Sequence, residues 1–352
     1  MTARRSEYDV TNQVDTTDPR AVFAEVSGLF ERLYPGNHSD ALPRAFQDCT
    51  RLYRGEFPGY RACDTAYHNL QHTLDVALAM ARLMDGYERA RETQQTLGPR
   101  LFVFGVVSAL FHDIGYLRHV NDTRHRNGAE YTTRHVTRGS RFLEHYMAGL
   151  GMADLAPHAA SILHFTGYEV PVSEIRVAAE IYRTIGNLLG TADIIAQMSD
   201  RCYLEKCRDR LYPEFVAGGL AHDGRGEPGV DVKFLSAEDL LRKTPGFYLV
   251  AQRRLTELLD SAFRYAGAHF GGDDPYFAEV MKNVEHARRL TGEPDVLQLL
   301  RRQPPPRFRV PGLSPTQAKA LPPKAAGQVH RRRAGAENDD ESDARFQAAL
   351  RA

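Results

Sequence analysis

Along most of this chain apolar residues recur at the spacing of an α-helix, and nowhere do they alternate long enough to make a strand. Helical period runs through roughly residues 65–92, 98–112, 128–147, 153–165, 173–210, 237–268 and 275–290. Two shorter helices precede these. TTDPRAVFAEVSGLFERLYPGN offers Thr17 or Asp18 as N-cap, Pro19 at the first helical position and Pro-Gly as the stop, and SDALPRAFQDCTRLYRGEFPGY repeats the scheme. The pattern predicts an all-α chain without internal repeats, folded as a single helical domain over 19–302. Residues 1–18 are polar and aperiodic and read as a flexible N-terminal arm. A glycine-rich excursion at 217–231 separates two helices. Residues 303–352, rich in Pro and Ala, lack the apolar mass to fold alone and read as a disordered tail. The HRRR cluster at 330–333 reads there as solvated charge.

Composition narrows the partners. Lys plus Arg number 45 and Asp plus Glu 45, so no global field draws the 352-residue chain to a nucleic-acid polymer or an anionic membrane. The longest apolar run, LFVFGVVSALF at 101–111, is too short to span a bilayer. MTARRSEYDV lacks the apolar region of a secretory signal. Cys49, Cys63, Cys202 and Cys207 form no CxxC pair and read as free thiols. Together these features predict a cytoplasmic protein; they leave its oligomeric state open.

Three stretches carry chemistry. In YHNLQHTLDV, His68, His72 and Asp75 fall at i, i+4 and i+7, a spacing that stacks them on one helical face beside Leu70, Leu74 and Leu78. Two imidazoles a turn apart can share a metal, or one can bind metal while the other handles a proton. In SALFHDIGY, His112 and Asp113 close the long apolar run, where a charge is costly unless compensated. A divalent cation compensates it well; a histidine–aspartate hydrogen bond is the alternative. Gly115 then lets the backbone leave the helix. In NLLGTADIIAQMSD, Asp193 is the lone charge in an apolar helical stretch and needs a partner. Two His and two Asp form a mixed nitrogen and oxygen set whose charge balances one divalent ion, with Mn, Mg, Zn, Fe and Ni not distinguished.

The ordered set His72, His112-Asp113, Asp193 resembles the H…HD…D signature of the HD superfamily of metal-dependent phosphohydrolases, over roughly residues 65–200. The resemblance implies an HD-domain-like helical bundle with a metal site between its helices, a catalytic core at about 65–200 and C-terminal helices at about 201–300 packed on it. YHNLQHTLDV is also similar to the first motif of class I cyclic-nucleotide phosphodiesterases, which implies His68 as proton donor to the leaving oxygen and His72 as a ligand. The match departs where those enzymes carry a histidine three positions past the HD aspartate, since Tyr116 stands here. Gln252 is a loose positional counterpart of their nucleotide-clamping glutamine.

HDIGY and HVTRG resemble HD-GYP cyclic-dinucleotide phosphodiesterases in part, although the paired HH and the GYP triplet are missing. That likeness implies His135 and His164 as ligands of a second metal bridged by Asp113, against their reading as ordinary histidines. Guanosine-polyphosphate hydrolases follow HD with an acidic pair that is absent here. His222-Asp223 repeats the dipeptide in a glycine-rich loop and is set aside.

Between HD and the next helix, Arg118, His119, Arg124, His125 and Arg126 make a cationic loop. With Arg134 and Arg138 these arginines are the expected clamps for a bound phosphate; a solvated basic loop is the alternative. Glu130 reads as a helix cap or a water-orienting carboxylate. The expected function is hydrolysis of a small-molecule phosphate ester, nucleotide-like, by a metal-activated water. Asp113 would hold that water in line, His68 would act as acid, and Asp75 would fix the tautomer of an imidazole. A di-iron HD-type oxygenase and a non-catalytic signalling module are the rival readings.

Overall fold

The computed structural model describes residues 4–90, 95–222 and 232–306. Those residues form helices and loops, with isolated bridges pairing Tyr8 with Asp15, Tyr60 with His119 and Ala221 with Phe234, and no strand. In chain order the helices are α1 (Pro19–Leu33), α2 (Ala41–Arg54), α3 (Leu70–Ala90), α4 (Gly98–Leu110), α5 (His135–Gly149), α6 (Ala156–Leu163) and α7 (Glu180–Met198). They continue with α8 (Tyr203–Lys206), α9 (Tyr212–Ala217), α10 (Ala237–Arg253), α11 (Arg264–His269), α12 (Pro275–Thr291) and α13 (Val296–Leu299). Among the described residues no helix is long and apolar enough to cross a membrane.

The fold is organised around α3. From Leu70 to Tyr87 every residue except Asp75 is buried, because α1, α4, α7 and α11 enclose the helix on all sides. Its buried charges are paired. Arg82 meets Asp9 at 2.7 Å and the Tyr276 hydroxyl at 3.1 Å, and Asp85 lies 2.6 Å from both His269 and Arg89. Gly86 has no room for a side chain, since a Cβ there would lie 1.8 Å from the Tyr265 carbonyl of α11.

One apolar core gathers α1 to α6 and one side of α7; a second lies between the other side of α7, α10 and α12. α7 therefore lies between two cores.

Several boundaries depart from the expected ones. Asp9 lies in the segment expected to be a flexible arm, and Arg4 there donates to the Ser199 carbonyl at 2.7 Å and reaches Glu279 at 3.3 Å. Residues 4–18 are thus tied to α3, α7 and α12 by partners too distant in sequence to be read from composition. The helix expected over 173–210 begins only at Glu180 and breaks after Met198, where the Asp200 side chain accepts from Cys202 N at 2.6 Å and starts a new turn.

The helix expected over 237–268 breaks at Asp260 and Ser261, both left-handed at φ 53° and 50°. The stretch expected as one helix over 128–147 opens with a 3₁₀ turn, Gly128–Tyr131, under a capping box of Asn127 and Glu130. Asp223, the rest of 223–231, and 307–352 with the HRRR cluster lie outside the described residues.

Candidate metal centre

The chain enters α3 through a pinned loop. Asp64 accepts from Arg118 at 2.6 and 2.8 Å and from Gly128 N at 2.7 Å. The Asn69 side chain then accepts from His72 N at 3.2 Å and caps the helix. Because Asn69 is the cap, His68 stands before the helix, and the expected stack of His68, His72 and Asp75 on one helical face does not form. His72 approaches Asp113 directly, whereas His68 stacks on Tyr116 of the same turn.

There His72 Nε2 lies 3.4 Å from Asp113 Oδ2 and 3.3 Å from Asp193 Oδ1. His112 Nε2 lies 3.1 Å from Asp113 Oδ2 and 3.8 Å from Asp193 Oδ1. The other nitrogen of His112 engages the Ala109 carbonyl at 2.8 Å, which aims Nε2 inward. His72, His112 and Asp113 are all buried, and their ligand atoms fall within 4.8 Å of one another.

Electrostatics within the cluster are strongly coupled. Burial pushes the His72 imidazole toward neutrality, but Asp113 and Asp193 overcome it and raise its pKa to about 10. His112 is raised in the same way, against burial, by Asp113 and then Asp193. Burial disfavours the Asp113 carboxylate, yet the histidines hold its pKa well below the ordinary range.

His112 Nε2 and Asp113 Oδ2 are nevertheless buried without a hydrogen-bond partner. They attract one another across 3.1 Å without hydrogen-bond geometry, so an ion between them would complete both. The donor set fits a divalent ion. Ligands at about 2.0–2.2 Å from a tetrahedral ion stand roughly 3.3–3.6 Å apart, and the four histidine–aspartate separations here run from 3.1 to 3.8 Å.

His135, at the start of α5, points Nε2 to within 3.6 Å of Asp113 Oδ1, the carboxylate oxygen turned away from His72 and His112, while its Nδ1 engages Thr132 O at 2.7 Å. His164 is set apart. Its Nδ1 is buried without a hydrogen bond, burial holds its pKa down, and it is not among the residues around the central cavity. Gly115 brings α5 close because a Cβ there would lie 1.8 Å from His135 O. That close approach, rather than a helix exit, is what requires glycine.

Beside the cluster, His68 Nδ1 meets Glu214 Oε2 at 2.6 Å. Glu214 Oε1 also accepts from the backbone N–H groups of Tyr67 and His68. The Tyr116 ring stacks between His68 and His135, at 4.4 Å and 4.3 Å between centroids. Tyr116 occupies the position where the phosphodiesterase pattern has a histidine; burial first, then Asp113 and Glu214, push its phenol pKa up, so it stays neutral. These residues open onto a cavity of about 160 Å³ also lined by Tyr67, Thr132, Glu169, Asp193, Gln197 and α9–α10 side chains.

The expected phosphate clamps are elsewhere. Arg118 is spent on Asp64. Arg124 and Arg126 are exposed, and Arg134 contacts His125 Nε2 at 2.9 Å. Arg138 lies 3.3 Å over the Tyr131 ring and donates to Leu117 O at 3.2 Å. None of them lines the cavity. Charge spacing marked a basic loop but not its internal partners Asp64, Asp122 and Tyr131.

Asp75 points away from the imidazoles toward Thr16, Lys206 and Asp200, and burial raises its pKa to about 6 despite Lys206. Gln252 borders a different apolar pocket, between α7, α10 and α12. Glu130 is a cap, accepting from Arg126 N at 2.6 Å. All four cysteines are free.

Sequence reasoning missed Glu214 and Gln197. Gln197 sits one turn past Asp193, a spacing that put it within reach. Glu214 lay 146 residues from its partner with no local sign. No protein-family profile, no curated protein and no solved structure matches this chain. What the structure establishes is an all-α bundle holding a buried His/His/Asp cluster able to bind a metal ion.

Proposed function

We propose that this chain is a metal-dependent phosphohydrolase of the HD type, acting on a small-molecule phosphate ester. The observation that carries the reading is the adjacency of two unlike devices on one cavity. A buried cluster of His72, His112, Asp113 and Asp193, in which His112 Nε2 and Asp113 Oδ2 lack hydrogen bonds, lies beside a His68–Glu214 pair, with 5.9 Å between the His68 and His72 rings. A structural metal site would need only the first, and a buried ion pair only the second. What a divalent ion held there supplies is Lewis acidity toward a phosphoryl oxygen and a water of lowered pKa.

The chain's own residues account for the rest. Glu214 fixes the His68 ring through Nδ1, which leaves Nε2 as the nitrogen able to donate to a leaving oxygen. To donate, His68 must hold a proton on Nε2, and the Glu214 carboxylate keeps that nitrogen turned to the cavity by engaging Nδ1. The Tyr116 ring prevents the imidazole from turning. Asp113 presents Oδ2 to His72 and His112 and Oδ1 to His135, the arrangement a second ion would require.

The test is metal content of purified protein and of Asp113→Ala, followed by phosphate release from a panel of esters. One or two equivalents of a redox-quiet ion, lost in the variant together with hydrolysis, support the reading. Two equivalents of iron with redox-dependent colour would shift it to oxidation. No metal after reloading with excess Mn²⁺, and no hydrolysis, would sink it.

A further inference from the structure

The cavity restricts what lies beyond the phosphorus, an inference that rests on the phosphohydrolase reading. Its volume of about 160 Å³ must hold both the phosphoryl group and what the phosphate esterifies, so the alcohol is compact. Among the described residues, its charged lining apart from histidines is Asp113, Asp193, Glu169 and Lys243. Glu169 is committed to α5, accepting from Val136 N at 2.8 Å and Thr137 N at 3.0 Å. Lys243 is half exposed, lies 2.9 Å from Asp239 and donates to Lys233 O at 2.8 Å.

One divalent ion balances Asp113 and Asp193, and Lys243 is taken up by Asp239. Every further phosphate group would bring unpaired charge against Tyr203, Leu211, Phe215, Phe234 and Phe247. Phe215 and Phe234 stack on one another, 6° from parallel with centroids 5.4 Å apart, and the outer face of the pair is flat and apolar. Gln197 accepts from the Tyr67 hydroxyl at 3.3 Å through Oε1, which leaves its amide N–H₂ as a donor to the cavity.

We infer that the substrate is a phosphate monoester of a compact alcohol bearing one flat ring, and that nucleoside polyphosphates and cyclic dinucleotides are excluded. The phosphoryl group lies at the metal cluster and the ring lies against Phe215 and Phe234. In the reaction the oxygen of water bonds to phosphorus as the ester P–O bond breaks. The departing alkoxide takes a proton from His68, and the proton lost by water restores it, giving inorganic phosphate and the alcohol.

The test uses the full chain loaded with Mn²⁺ at fixed free concentration. Calorimetry compares benzylphosphonate, ethylphosphonate and the β,γ-methylene analogue of ATP, none of which can be hydrolysed at the bond in question. The expected result is benzylphosphonate binding roughly tenfold or more tighter than ethylphosphonate, from the added apolar area of the ring, and the ATP analogue weakest. Hydrolysis of benzyl and ethyl phosphate, whose leaving alcohols are of similar basicity, should show the same preference. In Phe234→Leu the benzyl-to-ethyl ratio should fall severalfold.

Equal affinities for the two phosphonates, tightest binding of the ATP analogue, or an unchanged ratio in Phe234→Leu would overturn the inference. If ATP or a cyclic dinucleotide proved the best ester, this inference alone would fail. If benzylphosphonate bound selectively but no ester was hydrolysed, the phosphohydrolase reading would fail and the ligand's shape would stand.

Discussion

Replacing Asp113 by Asn removes a charge while keeping the shape, and its effect on metal-dependent stability can be worked from the geometry. His112 Nε2 and Asp113 Oδ2 are buried 3.1 Å apart without a hydrogen bond of good geometry, so an ion would engage both. A ligand at about 100 times its Kd stabilises by about 2.7 kcal/mol.

At about 2–4 °C per kcal/mol for a chain of somewhat smaller size, saturating ion should raise the melting temperature by roughly 5–10 °C. The side-chain amide introduced by Asp113→Asn is neutral and turns an N–H₂ toward the cation, so the rise should drop below about 2 °C in the variant. A proton competes for the same place. The His72 pKa in the metal-free fold lies at about 10, above its ordinary 6.5, raised against burial by Asp113 and Asp193. That protonated state therefore contributes stability in full below pH 6.5 and loses it as pH rises toward 10.

A metal-bound imidazole is neutral and escapes that loss, so the metal-induced shift should grow between about pH 6.5 and 8.5. The assay is thermal unfolding of chelator-stripped protein titrated with Mn²⁺ or Zn²⁺ at several pH values. A wild-type melting temperature unmoved by any divalent ion, or equal shifts in Asp113→Asn, would refute the reasoning.

Other perturbations separate roles that share this small volume. Glu214→Gln should lower kcat for ester hydrolysis by about 10–100-fold with metal content unchanged; a parallel loss of metal would make Glu214 merely structural. Asp75, with a folded pKa of about 6 against an ordinary 3.8, stabilises the fold most below pH 3.8 and loses that contribution as pH rises through 6. Asp75→Asn should therefore stabilise the chain by on the order of 2–3 kcal/mol at about pH 7.5 and converge with wild type near about pH 4, as read by denaturant melts. Gly115→Ala forces a Cβ to 1.8 Å from His135 O and 2.9 Å from Gly139 N. It should cost about 3 kcal/mol or more and abolish metal uptake, whereas Gly149→Ala, with nothing near its Cβ, should leave uptake intact.

What could be read in the sequence was the part governed by local burial. His112-Asp113 after an eleven-residue apolar run and Asp193 inside another could not be solvated, and the fold brings both to His72. Helical period located the elements, because each helix turns an apolar stripe to one of the two cores. Periodicity could not see Asn69 capping α3, which takes His68 off the helix. It could not see that Arg118 is consumed by Asp64, a pairing across 54 residues. Asp75 was misassigned because both neighbours that define it, Asp200 and Lys206, come from beyond α7. Glu214 carried no signal at all: its meaning depends on a contact that only the folded chain possesses.

That long-range contact imposes an order on assembly. As the polypeptide emerges from its N-terminus, the metal-binding atoms are complete once Asp193 has been made. His68 waits a further stretch for Glu214, and Phe215 waits for Phe234. α11 and α12, which pack on α3 and α7, come later still, so every residue of the cluster is made before the helices that close the bundle over it.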